Sequence, residues 1–255
     1  MTIDLSGLND NQRRAVEWDE GPVLVLAGPG SGKTRVLTLR VARLLAESAG
    51  GRFRILAVTF TNKAASEMRT RVDDLVDEGR DRATLTTFHS LAVDILRQHG
   101  SHVGIDPDFT ILSDQADREA ALADAVAACR DELEEAPSKP SQLLPVITRL
   151  LDECVHPHEV EGLLEGQRHA SDVAAVYRSY RSVLLQSNAL DFATLLALCN
   201  ELLEQRPAVA KQVRRVYEYV CVDEFQDTNQ AQFGLLTSIV ADNSPNLFVV
   251  ADDDQ

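Results

Sequence analysis

Pro22-Val23-Leu24-Val25-Leu26-Ala27-Gly28-Pro29-Gly30-Ser31-Gly32-Lys33-Thr34-Arg35-Val36-Leu37-Thr38-Leu39 is the stretch on which the reading of this chain turns. A short aliphatic run, a glycine-rich loop and a Lys-Thr pair opening an amphipathic segment give the strand, phosphate loop and helix order of the Walker A motif. Such a loop meets phosphate oxygens with backbone N–H groups, and side chains would hold that backbone away. Gly28, Gly30 and Gly32 leave the room, with Pro29 and Ser31 between them. Lys33 then reaches the outer phosphates as a point charge, and Thr34 offers a hydroxyl to Mg²⁺. The positive end of the following helix adds to the field. The strict pattern opens with glycine where this chain has Ala27, whose single methyl is a small intrusion.

Outward from the loop, Leu8 to Val16 reads as a helix capped by Asn9 or Asp10. Gln12 on it lies ahead of the phosphate loop, and its amide can donate and accept at once, which suits the paired edge of adenine. After the first helix Gly50 and Gly51 make a turn, and Phe53 to Phe60 reads as a second buried strand. That strand ends in Thr61-Asn62-Lys63, a polar and basic strand end where open parallel sheets bind ligands. Ala83 to Thr87 is a third strand leading into Phe88-His89-Ser90, where an aromatic and hydrogen-bonding side chains could grip a nucleotide strand; Phe88 could equally be core.

From Gly100 to about Asn188 the chain turns alanine-rich and acidic with helical periodicity, broken by Pro137 and Pro140 and without a strand signal. Asp191 is expected to cap a helix through Leu203. A buried strand, Tyr217 to Val222, then runs into Asp223-Glu224-Phe225-Gln226-Asp227. Strand followed by Asp-Glu is what a second nucleotide motif requires: Asp223 serves the Mg²⁺ shell and Glu224 deprotonates the attacking water. A last apolar strand, Asn246 to Ala251, ends in Asp252-Asp253-Asp254-Gln255. A domain is not expected to finish at the mouth of its own site, so the sequence reads as truncated.

Composition narrows the classes. The 255 residues carry a formal charge of −15 and 44% hydrophobic residues, with 25% charged, an ordinary globular balance. Residues 1–100 hold 14 Lys and Arg against 13 Asp and Glu, whereas residues 101–255 hold 11 against 27. An anion-binding surface therefore belongs in the first hundred residues. No apolar run approaches a membrane span and the N-terminus lacks a signal-peptide pattern, so a cytoplasmic location is expected. Cys129, Cys154, Cys199 and Cys221 are dispersed, without Cys-x-x-Cys spacing, and read as thiols in a reducing compartment. His156 and His158 have no further ligands at finger-like spacing.

Taken together, Gln12, AGPGSGKT from Ala27, TFTNKAASEM from Thr59, TTFHS from Thr86, VDEFQDTN from Val222 and ADDDQ from Ala251 resemble the ordered motifs of UvrD/Rep/PcrA-type superfamily 1 DNA helicases. The resemblance implies the N-terminal half of an ATP- and Mg²⁺-dependent motor that moves 3′ to 5′ on single-stranded DNA and opens duplex at junctions. It implies adenine recognition by Gln12, phosphate and metal binding by Lys33 and Thr34, and a place near the nucleotide for Arg35. Asp223 and Glu224 take the metal and water roles already given, and Gln255 senses the γ-phosphate. Phe60, Thr61, Asn62, Lys63, Thr87 and His89 would line the DNA path.

The chain departs from the family pattern at Ala251, usually glycine, and at Ala193-Thr194, usually acidic. The resemblance implies a second motor domain beyond Gln255 that supplies arginines to the γ-phosphate, so weak ATP hydrolysis and no unwinding are expected of these residues alone. The implied fold is α/β: a RecA-like P-loop NTPase sheet from residues 1–99 and 188–255, with residues 100–187 as a helical insert. A helicase-nuclease motor half, or a non-catalytic DNA-binding module on the same fold, are the alternatives.

Overall fold

Five apolar segments of the chain pair as a single parallel sheet. The computed structural model describes residues 3–47, 53–135, 137, 139–167, 169–240 and 246–252. Gln255 and the expected Gly50-Gly51 turn lie outside them. In chain order the elements are α1 (Asp10–Val16), β1 (Val23–Leu26), α2 (Lys33–Glu47), β2 (Ile55–Thr59), α3 (Asn62–Leu75), β3 (Ala83–Thr87), α4 (Phe88–His99) and β4 (Thr110–Leu112). Next come α5 (Gln115–Ala128), α6 (Leu144–Asp152), α7 (Val160–Leu163), α8 (Ala170–Gln186), β5 (Ala189–Asp191), α9 (Phe192–Gln205), α10 (Pro207–Arg214), β6 (Tyr219–Val222), α11 (Gln230–Ile239) and β7 (Asn246–Ala251).

By its contacts the chain divides into two compact units. The first comprises residues up to Leu91, Pro207–Thr228 and the residues from Leu236 onward. Its sheet has the order β1-β7-β6-β2-β3, parallel throughout. Every residue of β2 is buried, which is why it reads as a continuous apolar run rather than an alternation. β1 stands at a sheet edge and alternates half-buried Val23 and Val25 with exposed Leu24 and Leu26. Helix α2 is buried over most of its length, from Val36 to Leu45, and joins Met68, Val72, Leu85, Phe248 and Val250 in one core. Arg40, within that core, lies over the Phe248 ring and donates to the backbone carbonyl of Trp18, so its charge is met by polar oxygens rather than left bare.

The second unit comprises Ala92–Arg206 and Asn229–Leu235. It is mostly helical, and Leu122, Ile147, Leu151, Val176, Tyr177 and Leu184 form its core. Two features depart from the sequence reading. A two-stranded parallel sheet joins β4 to β5, with Ile111 opposite Leu190 and Leu112 opposite Asp191. Three-residue strands are too short to show alternation, and these partners are far apart in sequence. Helix α9, expected to belong with the motor sheet, packs Ala193 and Ala197 into the second unit's core. Its sequence is apolar on nearly every side, so periodicity did not say which neighbour it would cover. Among the described residues no helix is long and apolar enough to cross a membrane.

Candidate functional site

Parallel strands in the order β1-β7-β6 set three carboxyl ends side by side, and the candidate site is made from the residues just beyond those ends. Leu26 of β1 pairs with Ala251 of β7, and Val222 of β6 with Val249 of β7. The loop after β1 is fastened at its root by the Ala27 N–H donating to the Ala251 carbonyl at 3.1 Å. Gly30 and Gly32 adopt φ of +72° and +85°, backbone that L side chains rarely take, and a Cβ on Gly32 would come within 3.3 Å of the Gln12 amide nitrogen. The glycines at these two positions are therefore required by the turn itself.

Lys33, at the start of α2, turns back under the loop. Its Nζ donates to the Ala27 carbonyl at 2.9 Å, the Gly28 carbonyl at 3.3 Å and Asp252 Oδ2 at 2.8 Å. The Asp252 carboxylate holds the ammonium above its ordinary pKa, against the opposing effect of burial. Thr34 Oγ1 donates to Asp223 Oδ2 at 2.9 Å, joining the phosphate loop to an acidic motif about 190 residues downstream. Burial pushes the Asp223 carboxyl up and nearby Glu224 adds to that; the Thr34 hydroxyl and Lys33 oppose it.

Glu224 adopts φ +52° and ψ +45°, a left-handed conformation uncommon outside glycine. Gln226 Nε2 donates to Glu224 Oε2 at 2.7 Å. The same glutamine accepts from the Asp252 N–H at 2.9 Å through its Oε1. A continuous chain of hydrogen bonds thus runs Lys33, Asp252, Gln226, Glu224. Asp252 and Gln226 carried no role in the sequence reading. The signal that finds them is the sheet order: once β7 lies between β1 and β6, the residue ending β7 must face both motifs.

Gln12 sits over the loop. Its Nε2 donates to the Ser31 carbonyl at 2.8 Å and its Oε1 accepts from the Asn9 N–H at 3.0 Å, the second half of a capping box on α1. A primary amide has two donors and two acceptor lone pairs, so one of each remains for a further partner. Pro29, Gly30 and Ser31 are at the loop tip, and all three are exposed. Arg35 is exposed as well and lines a groove with Asp4, Thr38, Arg71 and Asp74.

Phe60, Thr61 and Asn62 are exposed at the carboxyl end of β2 together with Lys63, and Phe60 offers an open ring face. Thr61 Oγ1 is used in capping α3, accepting from the Ala64 N–H at 3.1 Å. Thr87 is buried, its hydroxyl shared among Asn62, Ser90 Oγ and the Ser90 N–H. Phe88 is core, which resolves the choice that the sequence left open. Burial holds the His89 imidazole below its ordinary pKa, which disfavours its charged form.

The donor set suits Mg²⁺. One hydroxyl and one carboxylate, converged on each other, leave most of an octahedron to phosphate oxygens and water, which is how this ion is ordinarily held.

The family model of the UvrD/REP helicase N-terminal domain matches residues 8–255. The chain belongs to that family. Among its relatives are ATP-dependent DNA helicases PcrA: that of Staphylococcus epidermidis is 38% identical over 255 residues, covering all of this chain and 34% of the relative. The PcrA of Bacillus subtilis strain 168 is 40% identical over 251 residues, covering 98% of this chain and 33% of its own length. That of Staphylococcus aureus is 38% identical over 255 residues, again covering all of this chain and 34% of the relative. The chain therefore spans about a third of the length of these UvrD/REP relatives. The five-stranded parallel sheet is consistent with a RecA-like motor domain.

Proposed function

We propose that these residues are the N-terminal motor half of an ATP-dependent helicase that moves 3′ to 5′ along single-stranded DNA and opens duplex at junctions. The observation that carries this reading is the Thr34–Asp223 hydrogen bond, which brings the phosphate loop and the acidic pair to one place. Family membership and the names of the relatives support it. In this reading Gln12 meets adenine with its remaining donor and acceptor. The loop backbone from Ala27 to Gly32 and the Lys33 ammonium take the phosphates. Thr34 and Asp223 hold Mg²⁺, which when bound spreads the negative charge of the phosphates. Glu224 orients the attacking water and receives its proton, and Gln255 reports the state of the γ-phosphate.

For DNA, Phe60 supplies a stacking face and Lys63 a phosphate contact. Thr61, Asn62 and Thr87 supply hydrogen bonds, and His89 does so as a neutral ring. These 255 residues by themselves are expected to bind nucleotide and turn it over slowly. The family resemblance assigns the rate-raising arginines to a second motor domain, and such an arginine is worth about 10³ to 10⁵ in rate.

The test is a titration of the chain with fluorescent ADP in Mg²⁺ buffer. Lys33→Ala should weaken binding at least about tenfold, the loss of one charged contact; binding as tight as the parent would remove the phosphate assignment. For the DNA arm, Phe60→Ala should weaken binding of labelled oligo(dT) about tenfold or more, the loss of one stacked base. No change would move the DNA path elsewhere.

A further inference from the structure

Lys33 has three N–H donors, and all three are engaged by Ala27 O, Gly28 O and Asp252 Oδ2. A lysine in this arrangement cannot bond a phosphate oxygen without releasing one of them. The two carbonyls belong to the loop that forms the cradle. Asp252 is different in kind: its side chain is fully buried, it carries a formal negative charge, and it makes the shortest of the three bonds. Its backbone N–H donates in turn to Gln226 Oε1 at 2.9 Å, which anchors the main chain from which the carboxylate extends.

We propose that Asp252 is a built-in competitor for the phosphate-binding lysine: it holds the Lys33 ammonium against the β7 end of the site, and nucleotide must displace this carboxylate to bind. The inference rests on the assignment of Lys33 to the phosphates. Asp252 is in these terms a positioning residue, acting on nucleotide through Lys33. Because the bound form draws on the fraction of molecules whose lysine is released, the competition lowers apparent affinity by that fraction. The chain through Gln226 to Glu224 gives the exchange a route to the hydrolytic carboxylate, since a shift of the Asp252 peptide pulls on the amide that holds Glu224 Oε2.

The experiment is a double-mutant cycle read by fluorescent ADP binding, with and without MgCl₂. Asp252→Asn keeps the shape and removes the charge; Asp252→Ala removes the side chain. Folding of each is checked by circular dichroism, and either folded variant carries the test. In the parent background each should bind ADP about tenfold more tightly, with or without Mg²⁺, the scale expected for losing one charge-assisted bond. In a Lys33→Ala background the gain should vanish, because nothing remains to be released.

Three results overturn the proposal. Unchanged or weaker binding in Asp252→Asn means that the carboxylate does not compete. Weakening confined to Mg²⁺ buffer makes Asp252 part of the metal shell. An equal gain in the Lys33→Ala background reduces the effect to repulsion between Asp252 and the phosphates. Lys33→Ala alone binding like the parent is a separate outcome, which removes the underlying phosphate assignment instead.

Discussion

Both units of the molecule bury charge, and they treat it differently. In the second unit Asp191, fully buried, caps α9 through the Thr194 N–H at 2.8 Å and accepts from Tyr180 Oη at 3.0 Å and Arg118 Nε at 3.1 Å. Asp172 likewise accepts from the backbone N–H groups of Glu134 and Glu135. These partners are scaffold: a helix end, a core tyrosine, a turn. In the first unit Asp223 and Asp252 stand just beyond strand ends and Lys33 opens α2, and each is bonded to another residue of the candidate site. Buried charge by itself does not mark function. On the proposed function, what separates the two regions is whether the partners can be exchanged for a ligand without unfolding an element.

The largest effect is expected at Asp191. Asp191→Ala leaves the buried Thr194 N–H and Tyr180 hydroxyl and the part-buried Arg118 Nε without this acceptor and should cost about 3–5 kcal/mol in urea denaturation, the scale for breaking a buried ion pair. ADP affinity of the folded fraction should stay at the parent value; its loss would make the second unit part of the nucleotide machinery.

Lys33→Met should cost less, about 1–3 kcal/mol, since it takes one donor from Asp252 where Asp191→Ala takes the acceptor from three donors. A larger cost at Lys33 than at Asp191 would erase the distinction between exchangeable and fixed partners.

A single neutral bond ranks lower. Tyr177→Phe in the second unit removes the 2.7 Å bond to the Val155 carbonyl and should lower stability by about 1 kcal/mol, read from the urea midpoint.

Alkaline pH acts on both units alike. Burial raises the Cys199 thiol from 9.0 to about 12 and the Cys221 thiol to about 11. A group whose folded pKa is raised stabilises fully below its unfolded pKa and loses that contribution as pH rises towards its folded pKa. Each thiol should therefore withdraw about 1 kcal/mol by pH 10. Lys33, raised by Asp252, adds its loss in the first unit only above 10.5. Thermal unfolding measured from pH 8 to 10 checks this: Cys199→Ala and Cys221→Ala should each flatten the fall, and an already flat parent curve contradicts it.

The smallest effect is at the surface of α3, where Arg71 and Glu67 lie 3.4 Å apart and half exposed. Arg71→Ala should shift stability by no more than about 0.5 kcal/mol, removable by salt.

Much of the fold was legible from local pattern. The five strands of the main sheet, the caps by Asn9 and Asp191, and the phosphate loop each depend on residues within a few positions of one another. The short β4–β5 pairing escaped because three residues carry no period. The placement of α9 escaped because a helix apolar on most sides does not name its neighbour.

The sequence by itself determined the parts: a glycine-rich loop between a strand and a helix, an Asp-Glu pair after a strand, and a helical region without visible chemistry. Tertiary structure alone decided that β7 lies between β1 and β6, and so that Asp252 reaches Lys33 and Gln226 reaches both Asp252 and Glu224. The physical reason is range. Caps, turns and periodicity are set by neighbours in the chain, whereas strand order is set by which apolar faces can be covered together, a property that no short stretch contains.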